Sequence, residues 1–215
     1  MKPEAPNAPL TRRERDRESL RRRILQAATD LAHSEGWANV SMRRIAEAID
    51  YTAPALYHHF ANKDAVIVAL RQHGYQLLLE RFERIRSNDP VERLAAMSRH
   101  HVDFAFEHPE LFNAMYGHGG VSCESTDAPL EAQLVAGIVH HSARMLFTDD
   151  ERSTRFDDEI DAVWASMHGI VALALSGPIE GGRSRAKALS QIVLNNTITA
   201  WTCGHPVSGK KGTLR

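Results

Sequence analysis

The chain has little cysteine, no long apolar run and almost no net charge. Two cysteines in 215 residues form neither a disulfide framework nor a CxxC metal site, which favours a reduced compartment. There is no run of about 18 apolar residues, so no membrane span is predicted. The charged N-terminus also lacks the apolar region of a secretory signal. We therefore expect a cytoplasmic protein with no membrane partner.

Charge is scarce overall but concentrated near one end. The formal net charge is −1, yet the segment from Arg12 to Arg23 alone holds seven arginines and three acids. A locally basic segment on a near-neutral chain is typical of a protein that contacts phosphates with one end. The alternative is a solvated helix start whose charges pair at i, i+4 spacing. The sequence leaves both interpretations open.

Strand patterns are missing as well. No segment alternates apolar and polar residues for long enough to predict a strand, whereas helical spacing recurs along the chain. The predicted fold class is therefore all-α. The predicted helices cover approximately residues 15–35, 41–49, 53–59, 63–86, 90–107, 109–116, 129–147, 156–175 and 184–202.

The segment 41–64 carries the most specific pattern. Ser41 can cap a helix whose apolar residues recur at i, i+3, i+4 and i+7. After a turn at 50–52, Pro54 lies in the first turn of a second short helix, where its missing N–H costs little. Two short helices joined by a turn of about three residues form a helix-turn-helix. An apolar stripe at 20–31 predicts the preceding helix that covers them.

The same residues resemble a known family. The run from Ile45 to Ala48 (IAEA) and, five residues later, the run from Pro54 to Asp64 (PALYHHFANKD) resemble the DNA-binding domain of the TetR family of bacterial one-component regulators. The segment 24–39 is similar to that family's first helix with its Gly-aromatic ending. The chain has Asp50 where the family usually has Gly. Because Asp tolerates a left-handed conformation, we still expect the turn to form.

The resemblance implies a double-stranded operator DNA partner, with the second short helix in the major groove and the first across the backbone. Arg43 matches a position that can reach a base edge, where arginine on guanine discriminates by about 1–3 kcal/mol. Tyr57, His59 and Lys63 match positions that mostly hold phosphates, and a packed role is the alternative for His59. The predicted DNA-binding residues are Arg43, Thr52, Ala53, Pro54, Ala55, Tyr57, His58, His59 and Lys63.

From residue 90 onward the chain resembles, through fewer motifs, the WHG-type ligand-binding body of part of the TetR family. The shared features lie at 104–105, 108–112, Trp164 and 168–169. They imply a ligand pocket in this body and a dimer formed by its last two helices. The predicted ligand-binding residues are Phe104, Phe112, Met115, Tyr116, Trp164, Met167 and His168. Taken singly, each is more often plain core.

Other kinds of site find less support. The twelve histidines include three adjacent pairs, but neighbours on a helix point about 100° apart and do not grip one ion. We predict no metal and no cofactor. Cys123, in a predicted loop, leaves redox sensing as an alternative. A nucleophile elbow, a phosphate-binding glycine loop and paired acids are all missing, so we predict that the protein is not an enzyme.

The resemblance to the TetR family implies a ligand-responsive repressor. It would bind a palindromic operator as a homodimer and be released by a small apolar or amphipathic molecule. The alternative is a DNA-binding regulator controlled by a protein partner, or by redox or metal input. The predicted domains are a disordered basic arm (1–14), a helix-turn-helix DNA-binding domain (15–62), a helical ligand-binding and dimerisation domain (63–203) and a disordered tail (204–215).

Overall fold

A computed structural model of the protein describes residues 11–117, 128–146 and 154–202. These ranges contain nine α-helices and no strand, which confirms the predicted all-α class. The helices are α1 (Arg12–Glu35), α2 (Met42–Ala48), α3 (Ala53–Tyr57), α4 (Lys63–Glu83), α5 (Pro90–Glu107), α6 (Pro109–Tyr116), α7 (Leu130–Arg144), α8 (Thr154–Ser176) and α9 (Gly182–Thr202). No helix in the described ranges is long and apolar enough to cross a bilayer.

Some predictions concern residues outside these ranges. They include the first ten residues of the predicted arm, the predicted tail at 204–215 and the proposed redox residue Cys123. Residues 11–14, the end of the predicted disordered arm, are described. They are ordered, because α1 begins at Arg12 and not near residue 15 as predicted. Thr11 Oγ1 accepts a hydrogen bond from Glu14 N at 3.3 Å, and Glu14 Oε2 accepts one from Thr11 N at 2.7 Å. This capping box satisfies two helix-end donors, so residues 11–14 form the cap and first turn of α1.

The described residues form two compact units. One comprises residues 11–71 with 113–117, and the other comprises 72–112 with 128–146 and 154–202. The division falls inside α4 rather than at its start, where the sequence predicted a domain boundary. Because α4 is one uninterrupted helix, it contributes residues to both units.

The first unit is built on three helices. A 3-10 turn at Trp37–Asn39 follows α1, and α1 packs against this turn and against α2, which in turn packs against α3. Gly36, with φ 81°, ends α1 in a conformation that favours glycine. The core side chains that are each at most 3% exposed include Ile24, Ala28, Trp37, Ile45, Ala46, Leu56 and Phe60.

The second unit is organised around α5. This helix packs against α7, α8 and α9, and α8 packs against α9. Its start is sharply defined, because Asp89 Oδ1 accepts a hydrogen bond from Val91 N at 3.1 Å and Pro90 occupies the first turn. The most deeply buried apolar side chains of this unit, at 0% exposure, are Leu78, Val102, Phe104, Ala105, Phe112, Ala143, Val171 and Ala186.

Candidate functional site

A left-handed turn joins α2 to α3. Asp50 has φ 59° and is the only described non-glycine residue with a positive φ. Tyr51 N donates to Ala46 O at 2.9 Å, which satisfies a carbonyl at the end of α2. Asp is one of the few L-residues that adopt this conformation at modest cost. The turn therefore forms without the glycine that the family usually has there.

The second helix of this pair is very short. Thr52 stands at the N-cap position of α3, but its side chain makes no capping hydrogen bond. After Tyr57 the backbone closes with His59 N donating to Leu56 O at 2.8 Å and Phe60 N donating to the same oxygen at 3.0 Å. His58 and His59, which were predicted inside the helix, therefore lie just beyond its last turn.

The predicted DNA-binding residues differ in exposure. Tyr57 is 53% exposed, which is unusual for a large aromatic side chain and typical of a contact surface. The exposed members of the set are Arg43, Thr52, Pro54, Tyr57 and His58. The half-buried members are Ala53, Ala55, His59 and Lys63.

Arg43 is held by a carboxylate on its own helix. Arg43 Nε donates to Glu47 Oε1 at 2.8 Å, one turn away, while the arginine side chain stays 84% exposed. This hydrogen bond raises the pKa of Arg43 above its ordinary value. A guanidinium has five N–H donors, so this contact leaves donors for a base edge.

Lys63 has a structural contact that the sequence did not suggest. Its Nζ donates to Trp37 O at 2.6 Å. The bond ties the first residue of α4 to the turn that follows α1. An ammonium carries three donors, and this contact uses one of them. Phosphate binding by Lys63 is compatible with the contact and stays a prediction.

The arginines of α1 lie beside the end of α3. An open groove on the first unit is lined by Thr11, Arg13, Glu14, Asp16, Arg17, Leu20, Tyr51, His58 and His59. Burial lowers the pKa of His59, and the positive charges of Arg17, Arg21 and His58 lower it further. The basic segment at 12–23 was the sequence signal for this groove, although its role was left open.

Two further arginines of α1 contact residues on either side of α3, close to this groove. The Arg21 guanidinium lies 4.3 Å from the centre of the Phe60 ring, and that of Arg23 lies 5.3 Å from the centre of the Tyr51 ring. Arg23 also donates to Ile49 O at 2.9 Å. These arginines brace the turn, because each joins α1 to residues that flank α3.

The second unit contains an apolar cavity of about 40 Å³. Residues from α4, α5, α7, α8 and α9 line it, and none of them is an acid, a lysine or an arginine. They are Phe82, Leu94, Met97, Ser98, His101, Val139, Ile160, Val163, Trp164, Met167, Leu194 and Trp201. Trp164 and Met167 belong to the predicted ligand-binding set.

A cluster of rings continues from the cavity wall. The His101 ring centre lies 4.9 Å from that of Trp164 and 5.7 Å from that of Phe112. Phe112 stacks on His168 at 5.1 Å with an interplanar angle of 19°. Burial, together with the nearby His168, lowers the pKa of His101 to about 3. Phe112 and His168 therefore support the wall without lining the cavity themselves.

The other predicted ligand-binding residues lie elsewhere. The Phe104 ring is fully buried and packs 5.4 Å from the Arg81 guanidinium and 5.3 Å from the ring of His108. Met115 is buried and Tyr116 half-buried, and neither lines the cavity. Both belong to the first unit.

Much of the cavity wall lies outside the predicted ligand-binding set. Leu94, Met97 and His101 have i, i+3, i+7 spacing on α5, and such spacing predicts a buried face without showing what it faces. Leu194 and Trp201 repeat the i, i+7 spacing on α9, and Phe82 comes from α4. Within residues 11–117, 128–146 and 154–202, no group of three His, Cys, Asp or Glu side chains could hold a metal ion.

Family models match both parts of this architecture. The model described as bacterial regulatory proteins, tetR family, matches residues 24–70, and the one described as tetracyclin repressor-like, C-terminal domain, matches residues 94–195. The chain belongs to the TetR family of transcriptional regulators. The first match covers the helix-turn-helix, and the second runs from within α5 to within α9. The predicted resemblance is thereby confirmed.

Individual curated relatives match this TetR-family chain over a part of its length. The regulator UidR of Escherichia coli is 32% identical over 87 residues, which is 40% of this chain and 39% of UidR. The chain therefore spans about two-fifths of the length of that curated relative. Both matching family models and UidR describe regulators rather than enzymes, in agreement with the prediction that this chain is not an enzyme.

Solved structures extend the likeness to most of the fold. A TetR-family regulator from Marinobacter aquaeolei shares 18% identity with a TM-score of 0.61, covering 85% of this chain and 97% of its own. RolR, solved with its ligand resorcinol, shares 17% identity with a TM-score of 0.55, covering 85% of this chain and 89% of its own. At these identities the likeness concerns the fold alone.

Proposed function

We propose that this TetR-family protein is a DNA-binding transcriptional repressor. It reads a palindromic operator as a homodimer and leaves the operator when a small molecule occupies the cavity of its second unit. The observation that carries the proposal is the exposed surface of the helix-turn-helix, where Arg43, Tyr57 and His58 are all solvent-accessible. Bacterial operator DNA lies in the cytoplasm, so this function implies a cytoplasmic protein.

The DNA contacts divide by chemistry. Arg43, on α2, supplies an arginine fork for a guanine edge, while the short side chains of Ala53 and Ala55 suit thymine methyl groups. Arg13 and Arg17 line the groove beside His58 and supply charge for phosphates, which position the protein without reading sequence. The α1 arginines thus extend the contact surface beyond the recognition helix.

This division of roles is testable by mutation. Arg43→Ala should relax base preference at one position per half-site, at a cost of about 1–3 kcal/mol on the preferred base. Arg17→Ala should instead weaken binding to all sequences alike and flatten the salt dependence by about one unit per site. Fluorescence anisotropy with operator variants across a salt series measures both effects.

Arg99→Ala is the matched control for this test, because it removes the same charge from an exposed position on the second unit. It should leave base preference unchanged and the salt slope nearly so. An Arg43→Ala protein that keeps full base preference would contradict the proposed base contact. An unchanged salt slope in Arg17→Ala would contradict the phosphate contact.

The proposed homodimer uses α8 and α9. The outward face of α8 presents small or apolar residues, including Ala165, Ser166 and Leu173, and that of α9 presents Ala188 and Ile192. Leu173 is 47% exposed and Ile192 is 53% exposed. Small side chains allow helices to approach closely, and exposed Leu and Ile are the residues that a partner helix would cover. A dimer also supplies the second half-site reader that a palindromic operator requires.

Release by a small molecule requires that the cavity and the DNA-reading helices influence one another. The chain passes from α3 directly into α4, and Phe82 near the end of α4 lines the cavity. A molecule that displaces Phe82 would therefore move α4, the helix that follows α3 in the chain. RolR, which has a similar fold, binds resorcinol, and this likeness supports a small-molecule effector.

A further inference from the structure

We propose that the cavity of the second unit selects a neutral, planar aromatic molecule with one hydrogen-bonding group, such as a phenolic hydroxyl. This inference rests on the proposed function, because it names the chemical class of the effector that the cavity would take. Three properties of the cavity wall carry it. These are its lack of charged groups, its ring-bearing side chains and its two polar side chains on one face of α5.

The wall offers nothing that would compensate a charged ligand. No acid, lysine or arginine lines it. His101 is the one basic side chain there, and because burial depresses its pKa to about 3, it is neutral at physiological pH. Moving an unpaired carboxylate or ammonium into such surroundings costs far more than moving a neutral group.

The shape of the wall favours a flat ring. Phe82, His101, Trp164 and Trp201 place rings from four different helices around one space. Offset or edge-to-face ring pairs contribute about 0.5–1.5 kcal/mol beyond the area they bury. The thioethers of Met97 and Met167 add contacts that suit ring edges.

The polar part of the wall is small and one-sided. Ser98 and His101 lie three residues apart on α5 and both line the cavity, so they share a helix face. Ser98 is 3% exposed and His101 is 1% exposed. A hydroxyl and a neutral imidazole can each donate or accept. They match a ligand with one hydroxyl or ring N–H at its edge.

The cavity must widen to admit such a ring. Its volume is about 40 Å³, whereas an engineered apolar cavity that binds benzene measures roughly 150 Å³. Met97 and Met167 are the side chains best able to move aside, because methionine is unbranched with three rotatable bonds. Ligand entry is therefore coupled to a rearrangement of the wall, including α5 and α8.

Titration calorimetry on the full chain tests the selection with four probes: phenol, benzoate, benzylammonium and hexanoate. We expect phenol to bind at least tenfold more tightly than each of the other three. Val139→Phe should fill the cavity and lower phenol affinity at least tenfold. Ile138→Phe is the matched control on the same turn of α7, because Ile138 does not line the cavity, and it should bind phenol as the wild type does.

The result that overturns the inference is benzoate, benzylammonium or hexanoate binding as tightly as phenol, or phenol affinity unchanged in Val139→Phe. Thermal melting of both variants identifies any that fails to fold. In that case Met97→Ala replaces the filling variant, and it should raise affinity for the larger 1-naphthol relative to phenol. An unchanged ratio of the two affinities would again contradict the inference.

Operator binding is measured in the same samples, which separates this inference from the proposed function. Phenol that binds without weakening operator binding would refute ligand-controlled release and uphold the ligand class. Hexanoate that binds and releases the operator would uphold ligand-controlled release and refute the class.

Discussion

Asp50 shows how a single side chain determines the geometry of the DNA-reading surface. It holds φ 59° at the point where α2 turns into α3. An L-residue in this conformation costs roughly 1–2 kcal/mol, less for Asp and Asn, whose short polar side chains bond locally. The angle between the two helices therefore depends on a residue that contributes nothing to the apolar core.

Substitution of Asp50 separates backbone conformation from side-chain chemistry. Asp50→Ala should lower the free energy of unfolding by about 1 kcal/mol, because alanine lacks both the conformational freedom of glycine and the tolerance of Asp for positive φ. Asp50→Gly should stay within about 0.5 kcal/mol of the wild type, since glycine adopts positive φ without strain. Urea unfolding measures both.

If Asp50→Gly were instead the less stable of the two, positive φ at this position would not be what makes Asp50→Ala unstable, and the proposed role of Asp50 would be contradicted. Asp30→Ala, at an exposed position within α1, is the control for loss of one carboxylate.

Among the helices, α5 and α9 are joined by a compact charge network. Asp103 Oδ1 accepts from Arg183 Nε at 2.6 Å and lies 2.6 Å from Lys187 Nζ. Glu107, one turn further along α5, pairs with the same Arg183, and its Oε2 lies 2.8 Å from Arg81 Nη2 on α4. Burial alone would raise the pKa of both acids. The hydrogen bonds from these cations outweigh it and hold both pKa values below their ordinary range.

The sign of these shifts predicts an acid-sensitive contact. A carboxyl group whose pKa is lower in the folded state contributes stability above its unfolded pKa, about 3.9 for Asp and 4.3 for Glu. That contribution is lost as the pH falls through the folded pKa. Asp103→Asn should therefore lower Tm at pH 7, and the difference from wild type should shrink progressively below about pH 4.

Thermal melting across pH 3–8 measures this effect. Asp158→Asn is the control, because Asp158 lies at an exposed position on α8 and should show a small difference at every pH. A gap between Asp103→Asn and wild type that is as large at pH 3 as at pH 7 would contradict the ionic role of Asp103.

For the molecule as a whole, the outward faces of α8 and α9 determine the proposed assembly. Leu173→Asp combined with Ile192→Asp should convert the dimer into a monomer, because each places a charge where a partner helix would bury it. Operator affinity should fall when the dimer is lost, since one head holds only one half-site. Sedimentation velocity at micromolar concentration measures the mass.

Leu130→Asp combined with Leu134→Asp is the matched control. Both leucines are exposed on α7, and Leu134 has the same 47% exposure as Leu173. This variant should remain a dimer. A wild-type protein that sediments as a monomer would contradict the proposed homodimer directly.

The last prediction concerns coupling between the effector and the operator. Thermodynamic linkage requires that each ligand weaken the other by the same factor, and couplings of about 1–3 kcal/mol correspond to 5- to 150-fold. Phe82→Leu should reduce this factor while leaving operator affinity without effector nearly unchanged, because Phe82 lies on α4 and lines the cavity. Calorimetry of the effector with and without saturating operator measures the factor.

Phe104→Leu serves as the comparison for Phe82→Leu, since Phe104 is equally buried but does not line the cavity. It should lower stability and leave the coupling factor unchanged. An effector that binds the cavity with the same affinity whether or not operator is present would contradict the release mechanism.

Much of this protein follows from its sequence alone. Helix positions depend on periodicity and caps within a few residues, so Ser41, Asp89 and the glycine at 36 define helix ends without reference to the rest of the fold. The helix-turn-helix is local for the same reason, because its two helices and turn occupy one short stretch. The left-handed Asp50 was likewise expected from residue chemistry.

Only the tertiary structure decided which residues meet. The cavity wall combines Phe82, His101 and Trp201, which are far apart in the sequence, and periodicity shows that a face is buried but not what it faces. The same limit explains why the sequence predicted a ligand-binding role for Phe104, Met115 and Tyr116, which do not line the cavity. Lys63 on Trp37 O and the α1 arginines beside His58 are also contacts between separate segments. Such contacts depend on how helices pack, and packing is set by the whole chain at once.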